Sequence, residues 1–348
     1  MQKKLGISLA FLLSVVVVFT VYLYLIRGKS MPLNGNIFFH TTDHNNHHSL
    51  FMLRMNDLST EHLESEMDGF LPVPSPSGQM VLFQSVQDGV VQIYAMNISK
   101  SDIPHLIYSQ GSGSPNWSPN GQYIAFVAAQ AQPISTAPSN NIYFHVYVIN
   151  ADGSDIHQLT KGSQDYAPSW SPDGKQIAFI EDRKNNGQDI YSINADGSNL
   201  RDLFSSPNKA EIRDLLWSPD GKLICFSMVQ DSNLNIFTIN IDGSNLKQLS
   251  NGGYNGSPAW SPDGKYIAYS SNHDNKLNIF LMNPDGSNQH PLTDNALDDS
   301  PAWSPDSQSI TFVSKDNGIW GVYVIGIDGS SQRRLADIAD DSQPKWSP

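Results

Sequence analysis

Short apolar runs separated by polar turns make up most of this chain. Tyr266–Ser270 and Asn278–Met282 are two such runs, and both are rich in the β-branched and aromatic residues that favour strands. Pro and Gly cluster between the runs, at the places where tight turns need them. After the first thirty residues no segment keeps the 3.6-residue period of an amphipathic helix over a useful length. The pattern therefore predicts an all-β domain.

The apolar runs belong to a repeat. Trp-Ser-Pro begins at Trp117, Trp170, Trp217, Trp260, Trp303 and Trp346, and a degenerate copy begins at Pro74. The successive intervals are 43, 53, 47, 43, 43 and 43 residues. A second turn, Asp-Gly-Ser, recurs at Asp152, Asp196, Asp242, Asp285 and Asp328. A period near 43 residues with several hairpin turns is typical of a four-stranded propeller blade.

The two ends of the repeat predict how the ring closes. Asn36–Phe39 has the pattern of a second strand but follows no inner strand, and Pro344–Trp346 has the pattern of an inner strand with none after it. We therefore predict that Pro344–Trp346 pairs with the strands near residues 36–40 and 50–55. This closure leaves no inner edge exposed. It gives seven blades, with six as the alternative.

The first thirty residues have a different character. Leu5 to Ile26 carry no charge, and at about 1.5 Å per residue this run spans roughly the 30 Å of a bilayer core. We predict a cytoplasmic stub and transmembrane signal-anchor at 1–30, and a propeller at 31–348. The propeller of this single-pass membrane protein would be extracytoplasmic. A cleaved secretory signal is the alternative, although the run exceeds the usual signal-peptide length. Basic residues flank both ends, so orientation has only a weak sequence signal.

Composition narrows the class of partner. The formal net charge is −13, and Lys and Arg form no cluster, which argues against a nucleic-acid partner. The single cysteine, Cys225, excludes an intrachain disulfide. The fold must therefore depend on its core and on ring closure.

The repeat resembles a known family. Trp-Ser-Pro-Asp-Gly-Lys-x-Ile-Ala-Phe at 170–179, followed by Ile-Tyr-x-x-Asn-x-Asp-Gly-Ser at 190–198, is similar to the repeat of the TolB-type propellers. Tricorn-protease and oligopeptidase-associated propellers have similar repeats. The resemblance covers roughly residues 36–348 and implies a β-propeller, without the α/β domain that precedes the propeller in TolB. Six blades are typical of TolB, so a seven-bladed ring weakens any transfer of its partner binding.

One face of the propeller is expected to carry function. The Ser-Pro-Asp-Gly and Asp-Gly-Ser turns are nearly identical between blades, and we expect them and the Trp residues to be structural. The loops of the opposite face differ each time, and function favours variable loops on a rigid scaffold. The residues predicted there to bind a ligand are Asp68, Asp165, Tyr166, Asp214, Tyr254, Asn255, Asp299 and Asp341. As a ring, the acidic members would form a negative funnel for a cation or basic peptide. Alternatively, each caps its own turn.

The loop of the first blade is the candidate metal site. Asp43, His44, His47 and His48 bring imidazoles and a carboxylate close together in sequence. Their spacing matches no established metal motif, and a solvated polar loop is the alternative. His273 with Asp274 is a second loop pair of interest. The insertion 128–141, rich in Ala, Gln, Pro and Ser, is predicted to be a mobile flap.

No enzyme signature accompanies the repeat. The chain has no Gly-x-Ser-x-Gly elbow, no His-Glu-x-x-His and no phosphate loop. Our hypothesis is a membrane-anchored, non-enzymatic propeller that binds a protein, peptide or glycan, or serves as a scaffold, at the cell envelope. It needs no cofactor, unless a divalent cation occupies one of the sites above. The alternative is a metal-assisted polysaccharide lyase or hydrolase, since oligogalacturonate lyases have a similar seven-bladed repeat and use His residues with a divalent metal.

Overall fold

The structure, a computed structural model, describes residues 35–43, 47–63, 67–98, 103–131, 142–162, 164–183, 187–273, 276–295, 297–338 and 343–347. The predicted anchor at residues 5–26 lies outside these ranges. Within them, no helix has the length and apolar character needed to cross a bilayer.

The described residues form strands and no α-helix. The first fourteen strands are β1 Asn36–Thr42, β2 His48–Arg54, β3 Thr60–His62, β4 Gly69–Pro74, β5 Met80–Gln87, β6 Val90–Asn97, β7 His105–Tyr108, β8 Ser112–Trp117, β9 Tyr123–Ala131, β10 Ile142–Asn150, β11 His157–Gln158, β12 Asp165–Trp170, β13 Gln176–Asp182 and β14 Gln188–Asn194. The others are β15 Arg201–Ser205, β16 Ile212–Trp217, β17 Leu223–Gln230, β18 Asn233–Asn240, β19 Lys247–Gln248, β20 Asn255–Trp260, β21 Ile267–Ser271, β22 Asn278–Met282, β23 His290–Pro291, β24 Asp298–Trp303, β25 Ser309–Asp316, β26 Ile319–Gly326, β27 Arg333–Ile338 and β28 Lys345–Ser347.

These strands build seven antiparallel sheets of four strands each within the described part of the chain. Six sheets contain four consecutive strands, from β4–β7 to β24–β27, and the remaining sheet has the order β28-β1-β2-β3. Each sheet contacts the next, and the sheet of β24–β27 contacts both β28 and β1, so the sheets form a closed ring. The seven-bladed prediction is confirmed, and the six-bladed alternative is wrong.

Closure occurs where the sequence predicts it. In the first blade Asn36 pairs with Ser347, Ile37 with Trp346 and Phe38 with Lys345. The last strand therefore supplies the inner edge of the blade that the first strands begin. Ile37 is fully buried, so closure also completes the hydrophobic core of this blade.

The repeated tryptophans join neighbouring blades. In four blades the indole Nε1 donates a hydrogen bond to a carbonyl of the preceding inner strand: Trp117 to Val73 (3.0 Å), Trp170 to Asn116 (3.3 Å), Trp217 to Ser169 (3.0 Å) and Trp303 to Ala259 (2.9 Å). The buried Nε1 atoms of Trp260 and Trp346 have no such partner in the described structure. The bonded tryptophans support the structural role expected of this residue.

The repeated turns are held by their own side chains. In the Ser-Pro-Asp-Gly turn the Ser171 hydroxyl donates to Asp173 (2.7 Å) and accepts from the Gln176 backbone N–H (2.9 Å), while Gly174 has a φ of 68°. In the Asp-Gly-Ser turn the Ser244 hydroxyl and backbone N–H both donate to Asp242, at 2.6 and 2.9 Å. These bonds explain the near-identity of the turns without any ligand.

Each of the six inner strands β4, β8, β12, β16, β20 and β24 contains a β-bulge. The pairing register with the second strand shifts in the middle of the strand. Three residues before the tryptophan or its counterpart Pro74, at what we call the bulge position, the backbone has a positive φ: Leu71 51°, Ser114 51°, Ala167 48°, Asp214 55°, Ser257 50° and Ser300 56°. None of these residues is glycine, so each inner strand carries local strain. In five of the six a proline follows, which restricts the residue before it.

Candidate ligand-binding channel

The inner strands surround a cavity of about 680 Å³. Residues from six of the seven blades line it, which places the cavity along the centre of the ring. The bulge position contributes Ser114, Ala167, Asp214, Ser257, Ser300 and Gln343, the last being the equivalent residue of the first blade. The position directly before the tryptophan, the pre-Trp position, contributes Asn116, Leu216, Ala259, Ala302 and Lys345. We call this cavity the channel.

Two of these lining residues are charged. Asp214, at the bulge position of the fifth blade, accepts hydrogen bonds at Oδ2 from the Ser227 hydroxyl (2.6 Å) and the Ser257 backbone N–H (3.2 Å). Lys345, at the pre-Trp position of the first blade, is exposed to solvent within the channel but enclosed by its walls. This enclosure lowers the pKa of the Lys345 ammonium, and the Asp214 carboxylate acts in the opposite direction.

Polar groups gather beside Asp214, at what we call the channel mouth. A Cβ on Gly256 would lie 3.0 Å from the Tyr254 hydroxyl, so the tyrosine ring crosses this strand where only a glycine leaves room. Burial raises the pKa of Tyr254, and the carboxylates of Asp299 and Asp214 add to this effect. Asp299 accepts hydrogen bonds from the Ser270 hydroxyl and the Ser300 backbone N–H, both at 2.6 Å. The mouth thus holds a phenol hydroxyl in the field of two fixed carboxylates.

The predicted acidic residues do not occupy equivalent positions. Asp165 and Asn255 are the first residues of β12 and β20, and Asp299 is the second residue of β24. Asp214 is at a bulge position, and Asp68 precedes β4 and accepts a hydrogen bond from the His48 backbone N–H. Tyr166, the second residue of β12, is 36% exposed. Asp341 lies outside the described residues. The structure thus brings Asp214, Tyr254 and Asp299 together.

Asp165 is buried against the preceding blade, and Asn255 is buried between its own blade and the preceding one. Asp165 accepts a hydrogen bond from the Thr160 hydroxyl, and its Oδ2 lies 3.3 Å from the Nδ1 atom of His145. Burial raises the pKa of the Asp165 carboxyl. The Asn255 amide donates to the Gly252 carbonyl (2.7 Å), and its oxygen accepts from Ser271 (2.8 Å). The bond from Asn255 to Gly252 fits the local capping role, whereas Asp165 joins its strand to the preceding blade; ligand binding by either residue stays a prediction.

The histidine loop has its own contacts. Asp43 accepts a hydrogen bond from the His47 backbone N–H (2.9 Å), and its carboxylate lies 3.6 Å from the His47 ring. The His48 ring bonds to the Thr42 hydroxyl (2.9 Å) and packs edge-on against His40. His44 lies outside the described residues, as does Asp274 of the second pair. In the part of the chain that the structure describes, no three His, Cys, Asp or Glu side chains are grouped to hold a metal ion.

Sequence reasoning missed Lys345. The signal that could have found it is the pre-Trp position, where the other blades carry Val73, Asn116, Ser169, Leu216, Ala259 and Ala302. Lys345 is the one charged residue of this set. Sequence reasoning also missed His145, because its position on β10 gives no periodic signal until the register of β10 with β9 is known.

The fold and the channel define a seven-bladed β-propeller with a lined central cavity. The family model described as TolB beta propeller domain matches residues 32–214, 134–295 and 250–348. The chain belongs to this family.

Curated relatives match shorter segments. The Tol-Pal system protein TolB of Zymomonas mobilis is 40% identical over 77 residues, which are 22% of this chain and 16% of that protein. The uncharacterized peptidase YuxL of Bacillus subtilis is 31% identical over 110 residues, 32% of this chain and 16% of the relative. The matched segments span 16% to 55% of the curated relatives' own lengths.

Solved structures share the fold at low identity. TolB from Acinetobacter baumannii has a TM-score of 0.61 at 18% identity, with 96% of this chain and 71% of that chain covered. An oligogalacturonate lyase in complex with manganese has a TM-score of 0.68 at 14% identity, with 84% of this chain and 85% of that chain covered. A puromycin hydrolase has a TM-score of 0.70 at 15% identity, covering 87% and 52%. The same scaffold therefore occurs in proteins with different activities.

Proposed function

We propose that this chain is a non-enzymatic binding propeller whose channel mouth takes a protein or peptide partner at the cell envelope. The observation that carries the proposal is the cluster of Tyr254, Asp214 and Asp299 around the channel. Arg213 stands directly before Asp214 and is half-exposed, with its guanidinium 2.9 Å from Glu211. Tyrosine and arginine are enriched among the residues that dominate binding at protein interfaces.

Exposed apolar groups on the same face support this proposal. Leu71, at the bulge position of the second blade, is 41% exposed, and Leu297, directly before β24, is also 41% exposed. Together with Tyr166 they place exposed apolar groups in or directly before three of the inner strands. A mixed surface of this kind suits a macromolecular partner better than a simple ion.

We also propose that residues 5–26 anchor the chain and that the propeller is extracytoplasmic. The support is the uncharged run in the sequence and the named relatives of the Tol-Pal system. An anchored propeller reaches only partners near the membrane, which fits a receptor or scaffold at the envelope. Protease protection in spheroplasts tests this topology: an intact propeller after outside digestion would contradict it.

Site-specific photo-cross-linking tests the binding surface. A photoreactive residue is placed at Tyr166, the exposed second residue of the inner strand β12, and in a matched variant at Lys175, whose side chain is 81% exposed on the turn face. We expect the Tyr166 variant to yield a discrete cross-linked partner in cells and the Lys175 variant to yield none. Cross-links from Lys175 alone, or from neither variant, would contradict the proposal.

The second candidate function is a metal-assisted lyase. The observation that favours it is the coverage of more than four-fifths of both chains in the match to the manganese-bound oligogalacturonate lyase. The histidine loop is the candidate for metal binding, and two of its members, His47 and Asp43, are in contact. Release of unsaturated uronate from oligogalacturonate with Mn²⁺ present, lost in a His47→Ala and His48→Ala double variant, would establish this function in place of the first.

A further inference from the structure

The repeat supplies internal controls for the channel lining. The bulge position is Leu71, Ser114, Ala167, Asp214, Ser257, Ser300 and Gln343 in the seven blades, and the pre-Trp position is Val73, Asn116, Ser169, Leu216, Ala259, Ala302 and Lys345. Small or uncharged residues suffice at six of the seven places in each set. Neither charge is therefore needed by the blade fold. The channel thus carries one anion, Asp214, and one cation, Lys345, on blades that are not adjacent.

The two charges do not pair with each other. The Lys345 ammonium makes no hydrogen bond or ion pair within the described structure, although Asp214 is near enough to influence its pKa. Asp214 receives its two hydrogen bonds at Oδ2, which leaves Oδ1 available to a ligand. An ammonium without a protein partner in the channel can donate charge-assisted hydrogen bonds to the carboxylate of a ligand.

Unpaired amide groups accompany the charges. The side chains of Asn116 and Gln343 line the channel and make no hydrogen bond in the described part of the chain. Each offers donors and an acceptor, which is what a peptide group needs. Tryptophan and proline side chains supply apolar wall. The cavity of about 680 Å³ lies within the size range of small-ligand sites.

We propose that the channel binds a short zwitterionic peptide, with the peptide carboxylate on Lys345 and its ammonium on Asp214. Asn116 and Gln343 hydrogen-bond to the peptide groups between the two ends. A uronate offers the carboxylate but no ammonium, so it leaves Asp214 uncompensated. This inference rests on the proposed function in that the channel is the binding site, and it names the class of ligand that enters it.

Titration of the full chain with tri-alanine tests the proposal. Four tryptophans line the channel, so intrinsic fluorescence reports occupancy, and calorimetry gives the affinity. N-acetyl-tri-alanine lacks the ammonium and tri-alanine amide lacks the carboxylate. We expect tri-alanine to bind and each blocked peptide to bind at least tenfold more weakly.

Variants assign the two ends of the ligand. Lys345→Met should weaken the binding of tri-alanine at least tenfold and have little further effect on the binding of tri-alanine amide. Asp214→Asn should also weaken the binding of tri-alanine at least tenfold, and it should have little further effect on the binding of N-acetyl-tri-alanine. Lys345→Arg keeps the charge and should retain binding, which shows that the strand still folds. Lys222→Met, which removes an exposed lysine of the turn face, is the matched control and should leave binding unchanged.

Three results would overturn the proposal: no binding of tri-alanine at millimolar concentration, equal binding of the three peptides, or tighter binding of galacturonate than of tri-alanine. The cross-linking experiment remains independent of these. A cross-linked partner from Tyr166 without tri-alanine binding would leave the proposed function standing and remove only this inference. Tri-alanine binding without a cross-link would remove the macromolecular partner at the channel mouth and leave the peptide site in the channel standing.

Discussion

Two tryptophans of the same repeat differ in a single hydrogen bond, and their replacement by phenylalanine should separate its energy from that of packing. The Trp217 Nε1 atom donates to the Ser169 carbonyl at 3.0 Å, and the ring is buried. The buried Nε1 atom of Trp260 has no partner in the described structure. Both replacements remove a similar piece of apolar ring, so this loss largely cancels in the comparison.

The polar contributions have opposite signs. Trp217→Phe loses a hydrogen bond with a net value of about 1 kcal/mol and leaves a carbonyl unpaired, whereas Trp260→Phe removes an unsatisfied N–H whose burial costs about 1–3 kcal/mol. We therefore expect the free energy of unfolding to fall by about 2–4 kcal/mol more for Trp217→Phe than for Trp260→Phe.

Urea unfolding followed by far-UV circular dichroism measures this difference without relying on tryptophan fluorescence. Trp303→Phe is a second bonded case, since its Nε1 atom donates to Ala259 at 2.9 Å, and it should resemble Trp217→Phe. If Trp260→Phe destabilised the chain as much as the two bonded variants, the cross-blade hydrogen bonds would make no measurable contribution to stability.

Three further predictions concern strain, ionisation and closure. Ala167→Gly relieves a positive φ of 48°, whereas Ala302→Gly only loosens an ordinary strand. The first variant should therefore be more stable than the second by about 1 kcal/mol in urea unfolding. Equal stabilities would show that the positive φ at Ala167 is not strained. Burial raises the pKa of Asp298, so the folded chain holds this proton more tightly than the unfolded chain. Relative to Asp298→Asn, the unsubstituted protein should therefore lose stability as the pH rises from below about 3.9 through the folded-state pKa, and parallel pH profiles would refute this. Ile37→Ala empties a fully buried site opposite Trp346 and should cost about 2–5 kcal/mol, as in other cores, whereas an open ring would tolerate it.

The blade count and the closure could be predicted because they depend only on the period of the repeat. Trp-Ser-Pro and Asp-Gly-Ser mark the same two turns in every blade, and the unmatched ends at Asn36 and Trp346 complete each other. An error of one residue in a strand boundary does not change this count.

The site is more sensitive to register. Asp165 and Asp214 both precede a Trp by a few residues, yet the first is buried against the preceding blade and the second lines the channel. A shift of one residue along a strand moves a side chain to the opposite face, and the bulge adds a further change of direction. The sequence signal for the bulge is the proline after five of the six bulge positions, but Leu215 follows Asp214, and proline does not reveal a positive φ.

The central claim is that partners bind at the channel mouth and not on the turn face. The most direct test is calorimetry, which measures the affinity of the partner identified by cross-linking for the Arg213→Ala and Lys222→Ala variants. The two variants are matched, since both residues are exposed cations paired with a carboxylate two positions away. We expect Arg213→Ala, at the mouth, to weaken binding at least tenfold and Lys222→Ala to change it less than twofold. Weaker binding with Lys222→Ala alone, or unchanged binding with Arg213→Ala, would contradict the account.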